Sequence, residues 1–259
     1  MNRKNFIFVA MLFAALSLGF VSCDDKGNEP DDPQGEETQT PDPDEGEEGG
    51  DEGGSSSSTS GSENVYEWVD LGLSVNWATC NVGATKPEEY GNYYAWGETT
   101  PKTTYDWSTY KWCNGSYDTM TKYCTNSDYG TVDNYTVLGK EDDAASVNMG
   151  GSWRMPTYKE QAELQTKCTW TWTTLNGVNG YNVEGPNGNS IFLPAAGCRD
   201  YSDLYRAGSY GYYWSRSLNQ LNSGYALYLY FHSGDVDWTH YNSRCCGRSV
   251  RGVTIPKLH

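Results

Sequence analysis

What this chain of 259 residues lacks narrows it quickly. No apolar stretch is long enough for an ordinary spanning helix: residues 7–21 fall short of the ~20 that crossing requires. No C-x-x-C pair and no zinc-ligand spacing occurs among the eight cysteines, and no H-E-x-x-H or serine-nucleophile motif is present. Neither a metal nor a cofactor is therefore implied. From Asp24 to Glu63 there is no aromatic and no large aliphatic side chain. Such a segment cannot bury enough apolar surface to offset its ordering entropy, so residues 23–64 read as a disordered tether. Bases are almost absent there too: fifteen acids stand against Lys26 alone. Of the formal net charge of −16, the tether holds −14, residues 1–23 hold +2 and residues 64–259 only −4. The acidity belongs to the tether and not to a binding face, which argues against nucleic acid as a partner. Self-repulsion extends such a segment, and at about 3.3–3.6 Å per residue it spans roughly 130–145 Å when stretched.

At the start of the chain Arg3 and Lys4 precede the apolar stretch, which stops at Ser22-Cys23 before "CDDKGNEP". That arrangement resembles a bacterial lipoprotein signal peptide over residues 1–22, with Cys23 the acylated first residue of the mature chain. Phe20 stands where leucine is usual in such signals. "CDDK" resembles the acidic signals that send lipoproteins of the Bacteroidetes to the cell surface. The resemblance implies an outer-membrane lipoprotein, exposed at the surface and bound to the membrane through its N-terminal lipid. With Cys23 acylated, seven cysteines remain, an odd number, so at least one thiol is free or paired between molecules. Cys113 and Cys124 flank "NGSYDTMTKY", where a disulfide and two half-buried thiols both fit.

All ten Trp and all twenty-one Tyr fall within residues 65–257, one domain's worth of chain. Leu, Ile and Phe are few there, so most of these rings must build the core. Residues 65–83 read as strands broken by Gly72, and 89–99 as a further aromatic strand. Residues 101–137 form a long excursion without a period. Residues 140–148 suit a short helix, with acids near its positive end. Thr157 and Glu160 make a capping box for a helix over 158–167. Residues 181–197 read as a hairpin turning through Gly-Pro-Asn-Gly-Asn. The expectation is an α+β fold, β-rich, with two short helices and many loops.

The clearest element is "ALYLYFHSGDVDW" (226–238). Leu227, Leu229 and Phe231 alternate with Tyr228, Tyr230 and His232, the period of a half-buried strand. Ser233-Gly234 is a turn dipeptide. A two-residue turn pairs Phe231 with Val236 and Leu229 with Trp238 on an apolar face. The opposite face then pairs His232 with Asp235, Tyr230 with Asp237 and Tyr228 with Thr239. Beyond it, His240, Tyr241, Asn242, Ser243, Cys245 and Cys246 share no period and no property. These twelve residues, from Tyr228 to Cys246, are the candidate ligand-binding set. Tyr210 and Tyr212 are placed outward beside them.

"WATCNVGA", "YYAWGET", "GGSWRMPT", "CTWTW", "IFLPAAG", "YYWS" and "GRSVRGV" occur here in the order seen in the Fibrobacter succinogenes major paralogous domain family. Those surface lipoproteins resemble the C-type lectin-like fold shared with formylglycine-generating enzymes. The resemblance covers residues 66–253 and implies small twisted sheets, two helices and a final hairpin carrying ligand contacts. A narrower resemblance is to variable proteins of diversity-generating retroelements, whose rewritten codons are confined to the set NNY. All twelve candidate residues belong to that set. Leu229, Phe231, Gly234, Val236, Trp238, Arg244, Gly247, Ser249 and Val250 would be the fixed frame. Exposed vicinal Cys245 and Cys246 fit a diversified surface better than a fixed one.

His232, Asp235, Asp237 and His240 could form an acid–base or metal cluster, but no nucleophile or third ligand accompanies them. A formylglycine-generating activity resembles thiol chemistry at two spaced cysteines, whereas Cys245 and Cys246 are adjacent; fold alone does not transfer chemistry. The Glu-Pro-Asn and Trp-Asn-Asp triplets of calcium-dependent lectins are absent. Asp118-Thr119-Met120 resembles an O-glycosylation acceptor. The expectation is a monomeric, non-enzymatic binding module for a protein or glycan. The alternative is a structural or adhesive surface protein with a fixed aromatic packing face.

Overall fold

The computed structural model describes residues 66–255. Cys23, the signal-peptide reading and the tether lie outside the described residues. In chain order the strands are β1 (Trp68–Val69) and β2 (Asn76–Ala78), followed by helices α1 (Ala144–Met149) and α2 (Tyr158–Lys167). Then come β3 (Thr169–Leu175), β4 (Val178–Glu184), β5 (Ser190–Pro194), β6 (Cys198–Asp200) and β7 (Asp203–Tyr205). The last are β8 (Tyr210–Leu218), β9 (Tyr225–His232), β10 (Asp235–Ser243) and β11 (Val253–Thr254). They form four small antiparallel sheets, ordered β1-β2-β11, β3-β4-β5, β6-β7 and β8-β9-β10. The architecture is β-rich with two helices, compatible with α+β.

Each helix starts where its sequence supplies a cap. Thr157 Oγ1 accepts from the Glu160 N–H at 3.2 Å and Glu160 Oε2 accepts from the Thr157 N–H at 2.7 Å, the capping box read from the sequence. Arg154 grips the same carboxylate with both terminal nitrogens, at 2.8 and 2.6 Å. Asp143 caps α1 through the Ser146 N–H, and its buried carboxylate also accepts from the Met155 N–H, tying the two helices' entrances together.

The hairpin β4-β5 and the interruption at Gly72 follow the expectation. Residues 89–99 do not. Only Tyr94 bridges, to Arg248, and after Trp96 donates to the Arg244 carbonyl the chain turns at Gly97, φ +78°. Their partner is a turn at 244–245 followed by single bridges from 247, 248 and 249 to three different segments, so no ladder propagates. Residues 101–137 are irregular, as their lack of period suggested, with one 3-10 turn at Ser127–Tyr129. The described cysteines are all thiols: Cys113 and Cys124 donate to the carbonyls of Trp107 and Asn126 and do not bridge.

Two buried clusters flank the sheet β8-β9-β10. Trp77, Leu164, Tyr181, Tyr213, Leu229 and Phe231 belong to one. Trp96, Tyr123, Tyr212, Trp214, Tyr228 and Tyr230 belong to the other. The alternation along β9 therefore separates two cores, where a half-buried strand would separate core from solvent.

Candidate functional site

The β9-β10 turn has the expected register at its tip: Asp235 pairs with His232, Val236 with Phe231 and Asp237 with Tyr230. A β-bulge then intervenes, and pairing resumes one residue later, His240 with Tyr228 and Tyr241 with Leu227. Thr239 thus does not face Tyr228. The cause is local. Asp237 Oδ1 accepts from both the backbone N–H and the hydroxyl of Thr239, each at 2.7 Å, which folds the strand back on itself.

One extra residue reverses which side chains share a face. Asp237 and His240 now lie on the same side, and His240 Nε2 meets Asp237 Oδ2 at 3.2 Å. Hydrogen bonding from His240, reinforced by Thr239, holds the Asp237 carboxyl below the usual carboxylate range despite partial burial. The His240 ring packs against Tyr230, centroids 4.7 Å apart, and against Tyr228 at 5.8 Å. Tyr241 falls on the other side and stacks on Tyr225 at 5.7 Å with an interplanar angle of 26°.

The candidate set does not form a single exposed face. Asp235, Thr239 and Tyr241 are exposed, Tyr241 by 44%. His232, Asp237, His240 and Asn242 are half-buried. Tyr228, Tyr230, Ser243, Cys245 and Cys246 are buried, a correction to the outward placement of the tyrosines and to the exposed vicinal thiols. Tyr228 and Tyr230 are covered because β9 is the central strand with a core on either side. The thiols are drawn inward because Gly247 pairs with Arg199 of β6 through two backbone hydrogen bonds, of 2.7 and 2.8 Å. Cys246 Sγ lies 3.9 Å from the buried Asp200 Oδ1. Tyr212 is also buried, and Tyr210 is half-buried.

The expected frame divides as well. Leu229 and Phe231 are buried, whereas Val236 and Trp238 are half-buried. β10 is the edge strand, covered on one side by α2: Trp238 stacks on Tyr158 at 5.8 Å, and Gln165 Nε2 donates to the Val236 carbonyl. The stretch "RCCGRSVRG" (244–252) is anchored by three buried arginines. Arg244 donates to Tyr110 Oη and to the carbonyls of Tyr123, Ser223 and Lys122, at 2.8 to 3.1 Å, beside the Trp96 ring. Arg251 donates to Asn81 Oδ1 and the carbonyls of Ala78, Thr79 and Phe192. The Arg248 guanidinium lies 3.5 Å from the centroid of Tyr228.

Sequence reasoning missed the tyrosines that join Tyr241. Burial, then the neighbouring phenols of Tyr129, Tyr241 and Tyr117, push the Tyr225 hydroxyl up, so four rings from three separated segments converge. Tyr117 is 53% exposed and lies against Tyr129. Tyr117 and Tyr129 sit in the excursion that has no period, and nothing short of the tertiary fold signals their position.

Among the described residues no group of three or more His, Cys, Asp or Glu is placed to hold a metal. The comparisons found no family model, no curated protein and no solved structure that matches this chain.

Proposed function

We propose that this chain is a cell-surface lipoprotein whose domain, with a C-type lectin-like fold, is a binding module that meets an extracellular protein or glycan along β10. The contact residues are Asp235, Asp237, Thr239, His240, Tyr241 and Asn242, with His232 at the turn and Tyr117 and Tyr225 beside Tyr241. Tyr228, Tyr230, Ser243, Cys245 and Cys246 are their support. One observation carries this reading: an edge strand shows solvent a row of unlike polar and aromatic side chains, over a frame fixed by buried arginines. Tyrosine gives contact area with little side-chain entropy.

The test is a glycan array and a panel of purified extracellular proteins, probed with the full chain and with Tyr241→Ala/Thr239→Ala. Binding lost in the variant at unchanged melting temperature is the expected result. Probes held equally by both proteins would place the contact face elsewhere. Acylation is tested separately, by labelling with an alkyne palmitate analogue that Cys23→Ala should abolish.

Burial removes the support that exposed vicinal thiols would give the retroelement reading and shortens its list of variable positions. A template copy of codons 206–252 is expected to differ only at exposed or half-exposed positions among 232, 235, 237 and 239–242. Random residues at Tyr228 or Cys246 would enter a closed core.

A further inference from the structure

The bulge of β10 is closed by a single carboxylate with three donors. Asp237 Oδ1 takes the N–H and hydroxyl of Thr239, and Oδ2 takes His240 Nε2. Thr239 and Tyr241, which with Asp235 are the exposed members of the contact face on β10, stand on either side of that histidine. We propose that protonation of His240 locks the bulge of β10, so that Thr239 and Tyr241 are held rigidly in mildly acidic solution and loosen as the imidazole loses its proton. The consequence for binding rests on the reading of β10 as the contact face; the lock itself does not.

The surroundings favour the charged imidazole. Asp237 supplies a negative partner from the same strand, and β9 supplies the rings of Tyr228 and Tyr230. A cation over a tyrosine face is stabilised by the ring's quadrupole. Behind Tyr230 lie His232, Tyr210 and Tyr212, with ring centroids within 5.9 Å of it. The fixed cations among these rings are Arg248, which sits against Tyr228, and Arg206, which lies over Tyr210. Coupling between His240 and Asp237 is reciprocal: the proton that holds the carboxyl down is itself held by the carboxylate. The sign follows. A histidine with a raised folded-state value contributes its stabilisation below the unfolded value, ~6.5, and loses it as pH rises through the folded value. Asp237, with a lowered value, contributes above ~3.8 and fails only in stronger acid. The lock is thus complete between about pH 4 and 6.5 and opens above.

The experiment is NMR on the full chain labelled at histidine 13Cε1 and amide 15N. The chain has three histidines, so His232→Gln and His259→Gln assign the resonances. His240 should titrate above ~6.5, and in Asp237→Asn its midpoint should fall by about half a unit or more, a roughly threefold change in proton affinity. The exchange protection of the Thr239 amide should drop across the same midpoint, and should become flat with pH in His240→Gln. A His240 midpoint indifferent to Asp237→Asn, or Thr239 protection that does not follow it in the unaltered chain, overturns the proposal. No ligand enters this measurement, so its failure leaves the contact face standing, and failure of the binding arrays leaves the lock standing.

Discussion

The four groups that hold Arg244 are all neutral oxygens: a tyrosine hydroxyl and three backbone carbonyls. The guanidinium is fully buried, so its desolvation is offset by these hydrogen bonds and by the Trp96 ring, with no ion pair to it among the described residues. Its five donors in a fixed fork reach three chain segments at once, which a lysine's point charge cannot do. Arg244→Met should therefore cost at least ~3 kcal/mol, from orphaned carbonyls and lost volume together, and Arg244→Lys should recover little of it. Urea midpoints at constant m decide this; a loss below ~1 kcal/mol would mean that water replaces the side chain. A contrasting expectation holds at Trp238. Its stack on Tyr158 is half-exposed, so Trp238→Ala should cost about 1–3 kcal/mol, less than the ~3–5 of a wholly buried aromatic. Phe231→Ala, with Tyr181, Trp170 and Tyr213 packed around that ring, belongs in the full range. Gly211→Ala attacks the same place from β8, because its new methyl would enter the Phe231 ring and no rotamer of a ring held on several sides relieves it.

At the scale of elements, what was legible in the sequence were features written in consecutive residues. The capping box of α2, the β4-β5 turn and the first three pairs of β9 and β10 each depend on local spacing, and each is present. Thr157→Ala should accordingly cost α2 about 1 kcal/mol, read as a shift in urea midpoint. The bulge was not legible, although its cause is local. Asp-x-Thr is too common to announce a strand irregularity, and only pairing against β9 shows that Trp238 and Thr239 share one partner position. That one residue brings His240 onto the face of Asp237 and sends Tyr241 to the face of Tyr225. The outward placement of Tyr228 and Tyr230 failed for a different reason. Alternation of aromatic and aliphatic residues is the same whether the second face meets water or a second core, and tyrosine suits both.

On the scale of the whole molecule, that second core is the fact from which the rest follows. Phe231 and Tyr230 are neighbours in sequence, yet one packs among Tyr181 and Trp170 and the other among Tyr212 and His240. The strands β8 and β9 supply residues to both clusters, and β11 closes on β2 so that Val253 pairs with Trp77 in one of them. Neither cluster can lose its packing without exposing one face of the shared sheet. A domain of this size often unfolds in stages, but this arrangement argues for one transition. Heating or urea should give coincident curves from near-ultraviolet dichroism, which follows the aromatic packing, and far-ultraviolet dichroism, which follows the backbone. Phe231→Ala from one cluster and Trp214→Ala from the other should each displace both curves together. If Trp214→Ala instead split the transition, leaving a step that Phe231→Ala does not move, the sheet would not be transmitting packing between its faces. The frame beneath β10 would then be softer than the contact face requires.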